Sequence, residues 1–173
     1  MSAEPAAVVE AVRQLVGRVP DPELPMLTIA DLGVLRAVSV DPDGHVEVTI
    51  TPTYSGCPAL DAIRADVEAV LADRGYSDVT VRTALAPAWT TDWITEAGRR
   101  ALAEHGIAPP GAAAARPAHR GPVPIRLGRP EPVRCPRCGS PDTREVSRFG
   151  STACQALRAC NACAEPFAHV KAL

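Results

Sequence analysis

Two Cys-x-x-Cys pairs near the C-terminus of this 173-residue chain have the spacing of a metal site. Cys135 and Cys138 form the first pair, Cys160 and Cys163 form the second, and residues 139–159 lie between them. Each pair can present two sulfurs to one ion from a compact turn, and zinc prefers four such ligands in a tetrahedron. Because the protein fills all four positions, the pattern predicts a structural zinc ion in a zinc-ribbon-like module over residues 135–173.

Residue types alone leave other uses of these cysteines open. Iron also accepts four thiolates, so an iron or iron–sulfur site is the main alternative to zinc. Disulfides are disfavoured, because the chain shows neither a secretory signal nor an apolar membrane segment and we expect it to be cytoplasmic. Cys154 lies between the pairs, either as a spare ligand or as a buried small hydrophobe, and we expect the second. Phe149 and Phe167 are the expected remainder of this module's small core.

Cys57 stands apart from these cysteines, at a point where a helical pattern begins. Pro58 suits the first helical position, which puts Cys57 at the helix entry. Unbonded N–H groups and the positive end of the helix dipole favour a thiolate there, so a nucleophilic or metal-binding sulfur is reasonable. A cap or a small core residue fits the same position. Asp21, Glu23 and Asp31 fall in loops, as candidate carboxylate partners or as turn formers.

Hydrophobic periodicity places Cys57 in an α+β domain of two layers, helices on a small sheet, over residues 1–107. The predicted elements are a helix over 5–18, strands over 34–40 and 45–51 joined by a turn, a helix from Pro58 that stops at Gly75, a strand at 79–81 and a helix from 91 or 92 to 105. Trp89 and Trp93 lie beside the start of the last helix, as core residues or as a contact surface, and we expect core residues.

Residues 108–134 have a different composition, rich in proline, glycine and alanine, which predicts a linker. Val123, Ile125 and Leu127 alternate within it and are candidate anchors on a partner. A net charge of -2 and a pI near 6.1 give no reason to expect nucleic acid or a membrane as the partner, although arginines concentrate toward the C-terminus. The oligomeric state is left open.

Two loop segments of the first domain resemble the metal–sulfur cluster assembly family, which includes the SufT-like proteins. They are 21–33, which begins Asp-Pro-Glu-Leu-Pro, and 51–58, Thr-Pro-Thr-Tyr-Ser-Gly-Cys-Pro. Other segments resemble the PaaD family, small accessory subunits of phenylacetyl-CoA epoxidase. Those segments are 89–94, 106–110, 135–140, 149–154 and 163–167.

The resemblance implies a role for each matching position. Cys57 becomes the reactive thiol or the transient ligand of iron or an iron–sulfur cluster, Asp21 lies in the other signature loop, and Thr51 and Thr53 border the same pocket. The implied function is maturation of iron centres in the oxygenase or reductase subunits of the epoxidase, with those subunits as partners. A non-catalytic scaffold subunit is the alternative. An enzyme in its own right is disfavoured, because no base and orienting acid stand beside Cys57 at recognisable spacing.

Overall fold

The computed structural model describes residues 3–111 and 132–173, and the chain divides into two compact units, Met1–Leu102 and Ala103–Leu173. The first unit contains α1 (Ala3–Gly17), β1 (Leu35–Val40), β2 (Val46–Ile50), α2 (Ala59–Ala72), β3 (Val79–Thr83) and a 3₁₀ turn (Thr91–Trp93), and α3 (Glu96–Glu104) runs across the division. The second unit contains β4 (Thr143–Ser147), β5 (Gln155–Cys160) and β6 (Pro166–Val170).

The predicted hairpin of β1 and β2 is confirmed, and its turn is held by one aspartate. Asp41 Oδ1 accepts the backbone N–H groups of Asp43 (3.0 Å) and His45 (2.9 Å), which stabilises the reversal. The strands pair antiparallel, and β3 pairs with β2 in parallel on its other side, after α2. On β2 every second side chain is buried, which is the period of a strand with one face on the core.

The two helices cover this sheet as one layer, which confirms the α+β prediction. α1 packs on β1 and against α2, and α2 packs on β3. The buried stripe of α2 recurs at helical spacing. It consists of Ala59, Ile63, Val67 and Leu71. The core is therefore aliphatic, as the low aromatic content requires.

The predicted single helix from 91 or 92 to 105 is wrong at its start. The structure has a 3₁₀ turn there, an extended residue at Ile94, and only then α3. Each of the two pieces begins at its own threonine cap. Thr90 Oγ1 accepts the N–H of Asp92 (3.4 Å), and Thr95 Oγ1 accepts the N–H of Gly98 (3.0 Å). A side chain that satisfies the first N–H groups of a helix begins a new helix at that position.

The segment between β3 and α3 folds back over the loop before β1. Trp89 is buried, as predicted for a core residue, and its Nε1–H donates to the carbonyl of Leu32 (2.9 Å). Trp93 is half-buried, and the guanidinium carbon of Arg36 lies 3.5 Å from its ring centroid. Gly33 allows this approach, because it has a φ of 68° and a side chain on it would meet Trp93 Cβ at 2.5 Å.

The C-terminal unit is a ribbon of three antiparallel strands in the order β4-β5-β6. Ala108 extends it beyond β6, donating its N–H to the carbonyl of Ala168 (2.8 Å) and accepting the N–H of Val170 (3.1 Å). Its core cluster is very small. The members are Ala108, Cys135, Cys160 and Phe167, with Val133 packed against them.

Phe167 therefore lies in the core as predicted, but Phe149 does not. Phe149 is 68% exposed, because it lies in the turn between β4 and β5 rather than on a strand. Ser147 Oγ holds it there by accepting its N–H (3.2 Å) and donating to its carbonyl (2.8 Å). Val123, Ile125 and Leu127, the proposed linker anchors, lie outside the described residues. The boundaries 1–107, 108–134 and 135–173 stay a prediction.

Gly33→Ala tests how closely the segment around Trp93 packs against Gly33. We expect it to lower the free energy of unfolding by about 3 kcal/mol, from left-handed backbone strain and the clash with Trp93 together. Gly75→Ala is the matched control, since Gly75 has a φ of 87° but open space around it. The control should lose only about 1 to 2 kcal/mol. Urea unfolding followed by tryptophan fluorescence measures both, and equal losses would contradict this close packing.

Candidate functional site

The first cysteine pair is presented by a closed backbone turn. The N–H of Cys135 donates to the carbonyl of Ser140 (2.9 Å), and the N–H of Gly139 donates to the carbonyl of Cys135 (2.9 Å). Gly139, directly after Cys138, has a φ of 73°. Glycine takes this left-handed conformation at no steric cost, which is why it suits the residue that follows the pair.

The second pair repeats the same turn. The N–H of Cys160 donates to the carbonyl of Glu165 (2.9 Å), as that of Cys135 does to the residue five positions on. Ala164, directly after Cys163, has a φ of 60° and is the non-glycine residue with a left-handed backbone among those described. An alanine held in this conformation is strained by about 1 to 2 kcal/mol. The repeat indicates that both turns serve the same purpose, which is to present a pair of cysteine sulfurs.

The two cysteine turns place four sulfurs around one point. The Sγ atoms of Cys135 and Cys163 are 3.8 Å apart, those of Cys138 and Cys160 are 3.6 Å apart, and all four lie within 4.8 Å of one another. A tetrahedral zinc with sulfurs at about 2.3 Å requires sulfur–sulfur distances of about 3.8 Å. A disulfide would need about 2.05 Å. The four sulfurs therefore have the spacing that the predicted metal site requires.

The ionisation of these thiols also favours a cation. Hydrogen bonds from the backbone N–H groups of Cys163 and Ala162 and from neighbouring thiols lower the pKa of Cys160 to about 7, although burial opposes them. The N–H of Glu165 lowers the pKa of Cys163, but burial and the three other thiols outweigh it and raise that pKa to about 12. The thiolate of Cys160 is therefore readily formed, while that of Cys163 needs a positive ion nearby.

Two polar pairs tie one turn to the other, and the sequence did not predict them. Arg137, inside the first pair, donates from Nη1 to Oε2 of Glu165 at the end of the second turn. Asn161, inside the second pair, donates from Nδ2 to Oδ1 of Asp142 (2.8 Å). The sequence signal for these two pairs is the presence of oppositely charged or hydrogen-bonding side chains inside or just after each Cys-x-x-Cys unit.

Cys154 is not part of this cluster. It is buried, and its Sγ lies 3.1 Å from the hydroxyl of Thr152. The four grouped sulfurs do not include it. The expectation of a buried small residue is confirmed.

Cys57 lies in the turn that leads into α2. Its N–H donates to the carbonyl of Tyr54 (3.2 Å), its carbonyl accepts the N–H of Leu60 (3.4 Å), and its side chain is half-exposed. Pro58 is the N-cap with a φ of -69°, so α2 begins one residue later than predicted. The N-cap makes no side-chain hydrogen bond to this helix. The first N–H groups of α2 are therefore left to other partners, next to Cys57.

Asp21 is a buried carboxylate that shapes its own loop. Its Oδ1 accepts the N–H groups of Glu23 (2.9 Å) and Leu24 (2.8 Å), and its own N–H donates to the carbonyl of Leu27 (2.9 Å). Burial raises the pKa of Asp21, and the two N–H bonds only partly offset it. Asp31, the other loop acid, is a cap whose Oδ2 accepts the N–H of Thr28 (3.1 Å).

Backbone pairing brings the two signature loops to one edge of the sheet. β1 starts where β2 ends, since Leu35 pairs with Ile50 and the N–H of Thr51 donates to the carbonyl of Val34 (2.9 Å). The loop over 20–33 leads into β1, and the segment over 51–58 leaves β2 at that same edge. Thr51 is buried and Thr53 is half-buried. A shared pocket of Cys57 with Asp21, Thr51 and Thr53 stays a prediction.

Comparison with known proteins supports both halves of this description. The profile of the iron–sulfur cluster assembly protein family matches residues 9–83, and that of the PaaD zinc beta ribbon domain matches residues 119–171. A protein of Escherichia coli (strain K12), provisionally named as one of the subunits of 1,2-phenylacetyl-CoA epoxidase, is 44% identical over 159 residues, which is 92% of this chain and 90% of that protein. The chain belongs to the PaaD family.

Other relatives cover the N-terminal unit of this PaaD-family chain. The Fe-S protein maturation auxiliary factor SufT of Staphylococcus aureus (strain USA300) is 36% identical over 83 residues, which is 47% of this chain and 93% of the relative. A crystal structure of a DUF59 domain from Bacillus anthracis superposes with a TM-score of 0.55 and 26% identity. It covers 59% of this chain and 97% of that one. The first unit therefore has the fold of that domain.

Among residues 3–111 and 132–173, none of the helices of this PaaD-family chain combines the length and hydropathy needed to cross a membrane.

Asp21→Asn tests whether the buried charge is retained at a cost in stability. Burial raises the pKa of Asp21, so the protonated carboxyl group is favoured in the folded protein. The contribution of Asp21 to the free energy of unfolding is therefore full below the ordinary value of 3.8, and it is lost as pH rises through the folded-state pKa. The asparagine oxygen can accept both N–H groups without a charge. We expect the variant to unfold at a higher urea concentration than wild type at pH 7, with the difference vanishing near pH 3.5.

Asp41→Asn is the matched control, because Asp41 also accepts two backbone N–H groups but is exposed. It should show no gain in stability at pH 7. If Asp21→Asn were instead less stable than wild type at pH 7 and equal to it at acid pH, the charged carboxylate would be stabilising and our interpretation wrong.

Proposed function

We propose that this PaaD-family chain is an accessory maturation factor for phenylacetyl-CoA epoxidase, and that it supplies iron or an iron–sulfur cluster to the oxygenase or reductase subunit. Cys57 is the thiol that holds this cargo. The names of its relatives, an epoxidase subunit and Fe-S maturation factors, support the two parts of the proposal. The main support is that the six cysteines fall into three environments: four are grouped together, one is buried and one is accessible.

Four of these cysteines are committed to one another. A metal with four protein thiolates has no open position for an incoming or leaving group, so the ribbon ion suits a structural role. Cys154 is buried. Cys57 alone is both accessible and outside the four-sulfur group. A cargo that must arrive and depart requires such a thiol.

The surroundings of Cys57 suit a transient ligand. The start of α2 directs backbone N–H groups toward its N-terminal side, and these favour the thiolate over the thiol. Asp21 lies in the other loop at the same sheet edge and is the candidate second ligand or proton acceptor, while Thr51 and Thr53 border the site. A single thiolate binds iron more weakly than a closed set of four does, which permits transfer.

We propose zinc as the resident ion of the ribbon. Tetrahedral thiolate ligation without redox chemistry is the preference of zinc, and the small ribbon core needs a permanent ion for stability. Iron in the cargo and zinc in the ribbon would then be handled by separate sites. The ribbon ion is held by Cys135, Cys138, Cys160 and Cys163.

A scaffold subunit that remains bound to the epoxidase is the second candidate. The Escherichia coli relative is named as a subunit, and the exposed side chain of Phe149 offers a contact surface. Such a protein would be needed in stoichiometric amounts and would not need Cys57. The two candidate functions therefore differ in whether they require the thiol of Cys57.

Co-expression of the oxygenase and reductase subunits with this chain separates them. With Cys57→Ala we expect iron content and epoxidase activity of the purified subunits to fall at least about tenfold, to the level found without the chain. Wild type should restore both. Metal analysis and an epoxidase assay on the same preparations provide the readouts.

Cys154→Ala is the matched control, since it removes the other cysteine outside the ribbon cluster. It should support maturation as wild type does. Full iron content with Cys57→Ala, in cells where omission of the chain lowers it, would reject Cys57 as the cargo thiol and favour the scaffold.

A further inference from the structure

Exposed apolar side chains gather on one end of the ribbon. Phe149 is 68% exposed, Val146 is 49% exposed and Leu157 is 37% exposed. Leu157 of β5 pairs with Ser147, next to Val146, and Ser147 holds the backbone of Phe149 through two hydrogen bonds. We call these three apolar residues the end patch.

The end patch lies away from the metal. β4 runs from the cysteine turns toward Phe149, and β5 returns from that turn to Cys160. β6 likewise starts beside the second cysteine turn and ends near Lys171. The end patch therefore has no part in holding the ion. It is also absent from the ribbon core, whose aromatic residue is Phe167.

This end of the ribbon is also basic. The ammonium of Lys171 lies 4.9 Å from the ring centroid of Phe149 and donates to the carbonyl of Arg148 (3.2 Å). Neither 146–157 nor 166–173 contains an aspartate or glutamate. The nearest carboxylate along β4, Glu145, is already within 3.9 Å of Arg158. The positive charge at this end is not neutralised by side chains of these two segments.

Backbone hydrogen bonds hold the turn in which Phe149 of the end patch lies. Gly150 donates its N–H to the carbonyl of Gln155 (2.9 Å), and a side chain on Gly150 would lie 3.3 Å from Gln155 Cβ. The N–H of Lys171 donates to the carbonyl of Cys154 (3.0 Å). These bonds hold the backbone of the turn that carries Phe149 and the backbone at Lys171 to the same place, the start of β5. Aromatic residues and arginine are enriched in protein interfaces, so Phe149 with Arg148 beside it suits an interface anchor.

We infer that the end patch docks this chain on an acidic surface with an apolar centre, on the oxygenase or reductase subunit of the epoxidase. Phe149 is the anchor, and Arg148 and Lys171 pair with carboxylates around it. The identity of the partner rests on the proposed function. A protein partner fits better than nucleic acid, because two of the three exposed apolar residues are aliphatic.

Binding of the purified full chain to the purified oxygenase and reductase subunits, measured by biolayer interferometry, tests this inference. We expect Phe149→Ser to weaken binding to one of them at least about tenfold. Leu85→Ser is the matched control, since Leu85 is an exposed leucine of the first unit, 58% exposed. It should change the dissociation constant less than about twofold. Metal content of the variants reports that the ribbon remains folded.

The charge of the partner is tested in the same assay. Lys171→Glu should weaken binding at least about fivefold and reduce its dependence on salt, while Arg74→Glu, at an exposed position just after α2 in the first unit, should not. A duplex DNA probe is included. Binding of DNA that is lost in Phe149→Ser would overturn the assignment of a protein partner.

The outcomes also separate this inference from the proposed function. Phe149→Ser bound as tightly as wild type would overturn the end patch and leave the role of Cys57 intact. Cys57→Ala should bind normally yet fail in maturation, and normal maturation by it would leave the end patch intact. If wild type bound neither the oxygenase nor the reductase, both the end patch and delivery to these subunits would be rejected.

Discussion

Four thiolates within 4.8 Å of one another would repel strongly, and a cation among them would remove that repulsion; the C-terminal unit is built around this constraint. Two matching backbone turns, one with an alanine in a left-handed conformation, hold the sulfurs in place. The polar pairs Arg137–Glu165 and Asn161–Asp142 join the turns. With so small an apolar core, an ion bound by these sulfurs would supply stability that side-chain burial cannot.

The N-terminal unit positions its cysteine by a different means. Cys57 does not belong to the group of four sulfurs. Instead, the pairing of β1 with β2 and of β2 with β3 brings two loops to one edge of the sheet, beside the start of α2. The aliphatic core below is buried, and the loop of Asp21 is closed by its own hydrogen bonds. An accessible thiol on a stable edge suits temporary binding, as the closed ribbon suits permanent binding.

Features fixed by neighbouring residues were predictable from the sequence, and features fixed by distant ones were not. The spacing of the ribbon cysteines and the hairpin turn at Asp41 depend on neighbouring residues, and both were predicted. The break before α3 was missed, although Thr95 signals it, because the turn is anchored by an N–H bond from Thr95 to the carbonyl of Asp31. Phe149 was placed wrongly because hydrophobicity alone does not distinguish a core strand from a turn. Whether Asp21, Thr51 and Thr53 act with Cys57 depends on side-chain placement that no sequence pattern determines.

We propose that this chain keeps a permanent ion in the ribbon and a transferable cargo on Cys57. Anaerobic loading of the purified full chain with ferrous iron and sulfide, followed by gel filtration and metal analysis, tests it most directly. Wild type should hold a chelator-resistant ion and, in addition, iron that passes to an iron-depleted oxygenase or reductase of the epoxidase. Cys57→Ala should retain the first and lack the second. Equal iron in both proteins, or iron that displaces the ribbon ion, would contradict the claim.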